Sequence, residues 1–166
     1  MQGSDTVLAP DRLLEVLWRH EVRFVMIGGL AAALHGSPFP TEDLDITPAA
    51  GRENFSRLSA ALTDLGARIR VDGAPEGLPF AHDAESLAGV GVWNLTTDHG
   101  DLDISLVPSG TTGYDDLVRD AEPVEAWEGV VVVASLADVI RSKQAANRPK
   151  DQRVLPILRE ILARRG

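Results

Sequence analysis

The sequence predicts an α/β or α+β fold: a mixed β-sheet flanked by helices, with a short C-terminal helical tail. Helical and strand patterns alternate through the first half of the chain, further strand patterns follow, and two helical patterns close it. The chain has 166 residues, of which 44% are hydrophobic, so it can form one domain with a buried core. We expect residues 1–134 to form the core of that domain and residues 135–166 to form a C-terminal helical segment of it.

The individual elements follow from apolar spacing and from capping and turn residues. Helices are predicted over residues 10–20, 30–36, 52–66, 113–120, 135–148 and 150–165. Strands are predicted over residues 22–27, 43–47, 67–71, 90–97, 101–107, 123–127 and 130–134. The stretch 72–89 is rich in glycine and proline and is predicted to be a loop with at most one helical turn. Pro156 should bend the last helix or mark its start.

Composition excludes several kinds of site. The absence of cysteine excludes disulfides, thiolate metal sites and cysteine nucleophiles. The chain has no G-x-S-x-G motif, so a serine-hydrolase triad is not expected. No apolar run approaches the roughly 20 residues that span a bilayer, and the polar N-terminus does not resemble a signal peptide. We therefore expect a cytoplasmic protein with no membrane partner.

Charge is unevenly distributed along the chain. The net charge is −9, yet residues 141–166 carry +6, which leaves −15 for the rest. Both lysines of the chain, Lys143 and Lys150, lie in this basic tail, whereas the other fourteen basic residues are arginines. This asymmetry indicates an acidic body with a basic C-terminal segment, which favours a phosphate-bearing ligand and argues against a long nucleic-acid duplex.

Two short strands carry pairs of aspartates. DLDIT places Asp43 and Asp45 about 7 Å apart on one face of a strand, with apolar residues on the other. DLDIS repeats the pattern with Asp101 and Asp103, although Asp101 follows a glycine where a turn-forming aspartate is common, so its part in a site stays open. If the two strands are neighbours, the carboxylates converge on one patch. Such oxygen-rich clusters suit hard divalent cations, Mg²⁺ first.

A glycine pair separates a predicted strand from a predicted helix. Gly28 and Gly29 allow the backbone to approach a ligand closely, and the following helix presents unpaired N–H groups to an anion. An anion site beside a Mg²⁺ cluster is what phosphoryl or nucleotidyl transfer requires.

These motifs resemble the nucleotidyltransferase superfamily of DNA polymerase β. The resemblance rests on the double glycine, on Asp-x-Asp thirteen residues later, and on a lone strand aspartate, Asp103. The tail VVVASLADVIRSKQAANRPKDQRVLPIL is similar to the C-terminal signature of minimal bacterial nucleotidyltransferases, including the AbiEii/MenT-type toxins. The resemblance covers most of the chain and implies a nucleotidyltransferase-like mixed sheet.

The resemblance also implies a role for each matching residue. Gly28 and Gly29 would lie against the triphosphate of an NTP, with Thr41 as a further phosphate contact. Asp43, Asp45 and Asp103 would bind two Mg²⁺ ions, and Asp103 would also activate the acceptor hydroxyl. The tail would serve the nucleotide phosphates and the site geometry through Lys143, Arg148, Lys150 and Asp151. The superfamily often has serine where this chain has Gly29, so only backbone N–H groups are offered there.

The implied activity is transfer of an NMP from an NTP to an acceptor hydroxyl. The acceptor would be a tRNA 3′ end, as in the toxins of toxin–antitoxin systems with a cognate antitoxin as partner, a protein hydroxyl, or a small molecule such as an aminoglycoside. A non-catalytic nucleotide-sensing or antitoxin-like module is the alternative. The sequence leaves the base preference and the oligomeric state open.

Overall fold

A mixed eight-stranded sheet forms the centre of the part of the chain that the computed structural model describes, residues 6–165. Residues 1–5 and 166, which the predicted domain bounds include, lie outside it. The strands are β1 Phe24–Ile27, β2 Asp43–Pro48, β3 Arg68–Val71, β4 Ala74–Leu78, β5 Val92–Thr97, β6 Gly100–Ser105, β7 Glu122–Ala126 and β8 Gly129–Val133. The helices are α1 Pro10–Arg19, α2 Gly28–Leu34, α3 Arg52–Asp64, α4 Ala84–Ala88, α5 Tyr114–Val118, α6 Leu136–Ala146 and α7 Pro149–Arg165.

The sheet combines parallel and antiparallel pairs in the order β4-β3-β5-β6-β2-β1-β8-β7. β2 lies at the centre, parallel to β6 and antiparallel to β1, and β1 is parallel to β8. The remaining pairs are antiparallel. This order confirms the predicted mixed sheet flanked by helices.

The alternation of side chains along the central strands decides which face of the sheet forms the core. Leu44 and Ile46 on β2 and Leu102 and Ile104 on β6 are all 0% exposed. The buried leucines of α1 and α3 belong to the same apolar cluster. Because successive strand residues point to opposite faces, the aspartates between these apolar residues are directed to the other side of the sheet.

The tail helices pack onto this core. Five apolar side chains of α6 and α7 are buried in the core cluster: Leu136, Val139, Ile140, Leu155 and Leu158. The end of α7 is attached to the end of α2, because Arg165 Nη2 donates to the backbone oxygen of His35 at 3.1 Å. The buried imidazole of His35 in turn bonds the carbonyl oxygen of Ala134 through Nε2 at 2.8 Å. None of the described helices combines the length and the apolar character needed to cross a bilayer.

The predicted elements are present with ends within two residues of their predicted positions, and one element was missed. The predicted loop 72–89 contains β4 as well as the single short helix α4, so the loop prediction is wrong for Ala74–Leu78. Pro75 and Gly77 interrupt the sequence pattern by which a strand is predicted. Proline is tolerated there because β4 is an edge strand. The last helix starts at Pro149, so Pro156 does not mark its start; the side chain is exposed and lies in the interior of α7.

Candidate metal centre

The pairing of β2 with β6 brings the predicted carboxylates together. In this parallel register Asp45 lies beside Asp103, and Asp43 lies beside Asp101. Carboxylate oxygens of Asp43, Asp45 and Asp103 all lie within 4.8 Å of one another, and all three residues are half-buried. Three hard oxygen donors at such distances can share a divalent cation, and no other group of three or more metal-binding side chains occurs within residues 6–165.

Burial and mutual repulsion together raise pKa values within this carboxylate triad. Burial, followed by the charges of Asp43 and Asp103, raises the pKa of Asp45 to about 8. Burial and the charge of Asp43 raise the pKa of Asp103 to about 6, although Arg70 acts in the opposite direction. Like charges this close are costly unless a proton or a cation lies among them, so the triad favours a bound cation.

An arginine that the sequence analysis did not select contacts this cluster. The side chain of Arg70 on β3 extends across β5 to β6, where Nη2 donates to Asp103 Oδ1 at 2.5 Å and Nη1 lies 3.1 Å from Asp101 Oδ2. Arg70 Nη1 also donates to the backbone oxygen of Leu95 on β5 at 3.2 Å. Asp101 is therefore held by Arg70 and is not one of the three clustered carboxylates.

The glycine pair lies directly against the cluster. β1 ends opposite Asp45, and α2 begins at Gly28, whose φ of +72° lies in the left-handed region. A Cβ on Gly28 would overlap the carboxylate of Asp45, so only glycine fits between the strand and the triad. A Cβ on Gly29 would lie 2.9 Å from the hydroxyl of Thr41. That hydroxyl donates to the backbone oxygen of Asp43 at 3.1 Å, which joins the loop to the first residue of the motif.

The basic tail faces the triad from the opposite wall. Asp151 is 0% exposed and accepts two side-chain hydrogen bonds from Arg148, Nε to Oδ2 at 2.7 Å and Nη2 to Oδ1 at 3.2 Å. Lys143 Nζ lies 3.8 Å from the same carboxylate. Burial alone would raise the pKa of Asp151, but the hydrogen bonds and charges of these partners lower it, so it stays ionised. Asp151 thus orients Lys143 and Arg148 and does not itself face the cavity.

Tail charges act on the triad across the cavity. Lys150 lowers the pKa of Asp45, against the stronger effects of burial and the other carboxylates. Burial lowers the pKa of Lys143, which Asp151 and Asp45 partly offset. Within residues 6–165, neither Lys150 nor Arg153 has an ion-pair partner, so their charges are available to a ligand.

One cavity of about 840 Å³ contains most of the predicted site residues. The predicted residues on its wall are Gly28, Gly29, Thr41, Asp43, Asp45, Asp103, Lys143, Arg148 and Lys150. The sequence analysis missed Phe39 and Arg153, which also line it. Its volume lies in the range of roughly 300–1,000 Å³ that is typical of small-molecule sites.

Comparison with known proteins adds evidence on the fold. No protein-family model matches the sequence, and no curated protein matches it. Several solved structures do match the fold, among them two nucleotidyltransferases. A candidate nucleotidyltransferase from Thermotoga maritima is 17% identical with a TM-score of 0.52, covering 96% of this chain and 98% of that one. The lincosamide antibiotic adenylyltransferase LnuA, solved with lincomycin bound, is 14% identical with a TM-score of 0.62, covering 95% of this chain and 99% of that one.

The chain shares the fold of these two nucleotidyltransferases. This confirms the predicted fold, and the match covers nearly the whole chain. At these identities the likeness concerns the fold, so the activity has to be argued from the residues of the site.

Substitution of Gly28 tests whether the glycine makes room for Asp45. We expect Gly28→Ala to weaken Mn²⁺ binding at least about tenfold, because the new methyl group displaces a carboxylate ligand. Gly73→Ala is the matched control: Gly73 has a similar φ of +83° but nothing within 4 Å of a new Cβ. It should lose about 1 kcal/mol of stability and leave Mn²⁺ affinity unchanged. Electron paramagnetic resonance of free Mn²⁺ measures the affinity, and equal losses in both variants would contradict the explanation.

The raised pKa values predict an unusual dependence of stability on pH. The pKa of Asp45 rises from its ordinary 3.8 to about 8, so the folded state holds this proton more tightly than the unfolded state. This contribution to stability is complete below about pH 4 and is lost as the pH rises through 8. In EDTA, the Tm of the parent should therefore fall relative to that of Asp45→Asn between pH 5 and 9, and saturating Mg²⁺ should reverse the fall. A constant Tm difference across this range would contradict the assignment.

Proposed function

We propose that this protein is a Mg²⁺-dependent nucleotidyltransferase that moves an NMP from an NTP to an acceptor hydroxyl. The observation that carries the proposal is the carboxylate triad of Asp43, Asp45 and Asp103, which shares one cavity with the cations of the basic tail. The likeness in fold to two nucleotidyltransferases supports the proposal.

The donor set of the triad fits magnesium. Asp43, Asp45 and Asp103 provide oxygen ligands only, and their like charges, with the raised pKa values of Asp45 and Asp103, indicate a site in need of a cation. In the proposal these three side chains hold two Mg²⁺ ions. When bound, Mg²⁺ would neutralise the phosphates, favour ionisation of the acceptor hydroxyl and stabilise pyrophosphate as it leaves.

The residues of the chain itself bind the triphosphate and receive a proton. Lys143, Arg148 and Lys150 attract the phosphates, and Asp151 keeps the first two in place. Gly28 and Gly29 allow the backbone to approach the phosphates, next to Thr41. The acceptor oxygen bonds to the α-phosphorus, the bond to the β-phosphate oxygen breaks, and pyrophosphate leaves. Asp103 takes the hydroxyl proton.

For the acceptor we propose a tRNA 3′ end, in a cytoplasmic toxin of the AbiEii/MenT type with a cognate antitoxin as partner. The tail sequence supports this choice, and we treat the helical segment from residue 135 as part of the same domain because its apolar side chains join the core. The intact triad favours catalysis over the non-catalytic nucleotide-sensing alternative, because three clustered acids repel one another and are costly unless they hold a cation.

A small hydroxylated compound is the second candidate acceptor, and the distribution of charge favours it. All cations on the cavity wall lie on the tail side: Lys143, Arg148, Lys150 and Arg153. On the β5 side of Asp103 the wall residues are neutral, among them Val92, Asn94 and Ser105, and the charge of Arg70 on that side is paired with Asp101 and Asp103. A polynucleotide acceptor would need cations there for its phosphates. LnuA, which is similar in fold, is an adenylyltransferase of a small antibiotic.

Label transfer from α-³²P-NTPs tests the proposed function. The protein is incubated with each of the four NTPs and Mg²⁺, with total tRNA, with lincomycin or with an aminoglycoside as acceptor. We expect Mg²⁺-dependent label in one acceptor, reduced at least about 100-fold in Asp43→Ala because the metal site is lost. Asp72→Ala, which removes an exposed carboxylate of the β3–β4 turn, should retain parental activity.

The acceptor that receives the label decides between the two candidates. Label on tRNA supports the toxin, and label on a small molecule supports the second candidate. Absence of label on every acceptor, on the chain itself and on co-purified protein would contradict the enzyme proposal.

A further inference from the structure

We infer that Arg70, together with Asp101, is a positioning pair that holds Asp103 in the orientation required for nucleotidyl transfer. The inference rests on the proposed function and adds to it two residues whose roles neither the motifs nor the fold comparison assigns. Arg70 touches neither substrate nor metal in this scheme, because it acts only through Asp103.

The contacts of Arg70 are those of a two-sided clamp. Its two terminal nitrogens contact different carboxylates: Nη2 bonds Asp103 Oδ1 at 2.5 Å, and Nη1 lies 3.1 Å from Asp101 Oδ2. Nη1 also bonds the carbonyl oxygen of Leu95 at 3.2 Å, on the strand between Arg70 and the two aspartates. The guanidinium plane is thus fixed from β5 and β6 at once, and only one oxygen of Asp103 is engaged by it.

The pair is sheltered enough for this contact to be specific. The side chains of Arg70, Asp101 and Asp103 are 31%, 25% and 20% exposed. Burial alone would lower the pKa of Arg70, but the charge and hydrogen bond of Asp103 raise it, so the guanidinium stays charged. A partly desolvated, charge-assisted fork restricts the rotation of Asp103 more than an exposed ion pair would.

The contact with Arg70 gives a role to Asp101, the fourth carboxylate of the two strands. It lies opposite Asp43 in the β2–β6 register, yet it is not among the three clustered acids. Its contact is with Arg70, which places it behind Asp103 as the second anchor of the guanidinium. Without Asp101, Arg70 would keep one carboxylate partner, and its Nη1 would be held by the carbonyl oxygen of Leu95 alone.

The same strand offers a matched control. Arg68 lies two residues earlier on β3 and so on the same face of the sheet, but its side chain pairs with Asp98, outside the triad, at 2.9 Å. A substitution at Arg68 removes a similar ion pair from the same strand without touching Asp103. Any general effect of weakening β3 should therefore appear equally in both arginine variants.

The experiment compares Arg70→Ala, Arg70→Lys, Asp101→Asn and the double variant Arg70→Ala/Asp101→Asn with Arg68→Ala. Turnover and KM for the NTP are measured with the acceptor that label transfer identifies. Mn²⁺ affinity is measured by electron paramagnetic resonance, and Tm is recorded for every variant. The Mn²⁺ and Tm readouts do not depend on turnover, so they separate loss of orientation from loss of the metal site or of the fold.

We expect kcat of Arg70→Ala to fall about 10- to 100-fold, since a misplaced catalytic group costs that much. The NTP KM should stay within about twofold and Mn²⁺ should bind no more weakly than in the parent, because removing a cation beside the triad does not reduce its negative charge. The kcat of Arg70→Lys should stay at least about fivefold below that of the parent, since an ammonium group cannot form the fork. Added guanidinium should partly restore the kcat of Arg70→Ala and should not restore that of Arg70→Lys. The double variant should be no slower than Arg70→Ala, because both residues act through one contact.

Three results would overturn the inference. The first is an Arg70→Ala enzyme that turns over within about twofold of the parent. The second is an equal loss of kcat in Arg68→Ala. The third is a fall in the Tm or the Mn²⁺ affinity of Arg70→Ala that accounts for its loss of activity. If the parent itself neither binds Mn²⁺ nor transfers label, the proposed function fails and the positioning role fails with it. An active parent with an unaffected Arg70→Ala variant overturns the positioning role alone.

Discussion

Repulsion between carboxylates on two parallel strands is the constraint on which the rest of the site depends. The β2–β6 register sets Asp45 beside Asp103, and Asp43 completes a triad whose oxygens lie within 4.8 Å. The same alternation that buries Leu44 and Ile46 in the core forces the aspartates onto the opposite face. The aspartates cannot move to the other face of the sheet, because that would require a one-residue shift of register and would expose the core.

The surroundings of the triad supply positive charge at three positions. A proton is retained on Asp45, whose pKa is raised to about 8, and Arg70 binds Asp103 from the β5 side. Lys150 lowers the pKa of Asp45 from the tail side. Gly28 contributes by leaving space for the Asp45 carboxylate at the end of β1. The strand register, the glycine pair and the basic tail therefore all accommodate one concentrated negative charge, which a divalent cation would neutralise.

Most of the helices and strands, together with the aspartates and the tail cations of the site, follow from local patterns in the sequence. Strict alternation in DLDIT and DLDIS is sufficient to place the aspartates on one face, and the unequal charge of the tail marks its cations. Strand order depends on parts of the chain that are distant in sequence, so local patterns could not predict that β2 pairs with β6. Arg70 was missed for that reason: it lies two strands away from Asp103, and only the order β3-β5-β6 brings it there. The alternation of ARIRV, which sets Arg68 and Arg70 on one face, was the one signal available.

The structure also changed the interpretation of two aspartates: Asp151, which the sequence selected, and Asp101, whose part in the site the sequence left open. Asp151 is buried behind the cavity wall, where it orients Lys143 and Arg148, and Asp101 lies in the paired register but is bound by Arg70.

The most direct test of the central claim is Mn²⁺ binding by the parent and by Asn variants of the triad. The account predicts binding by the parent, a loss of at least about tenfold in Asp43→Asn and in Asp45→Asn, and retention in Asp72→Asn. A parent that binds no Mn²⁺, or triad variants that bind it as well as the parent, would contradict it.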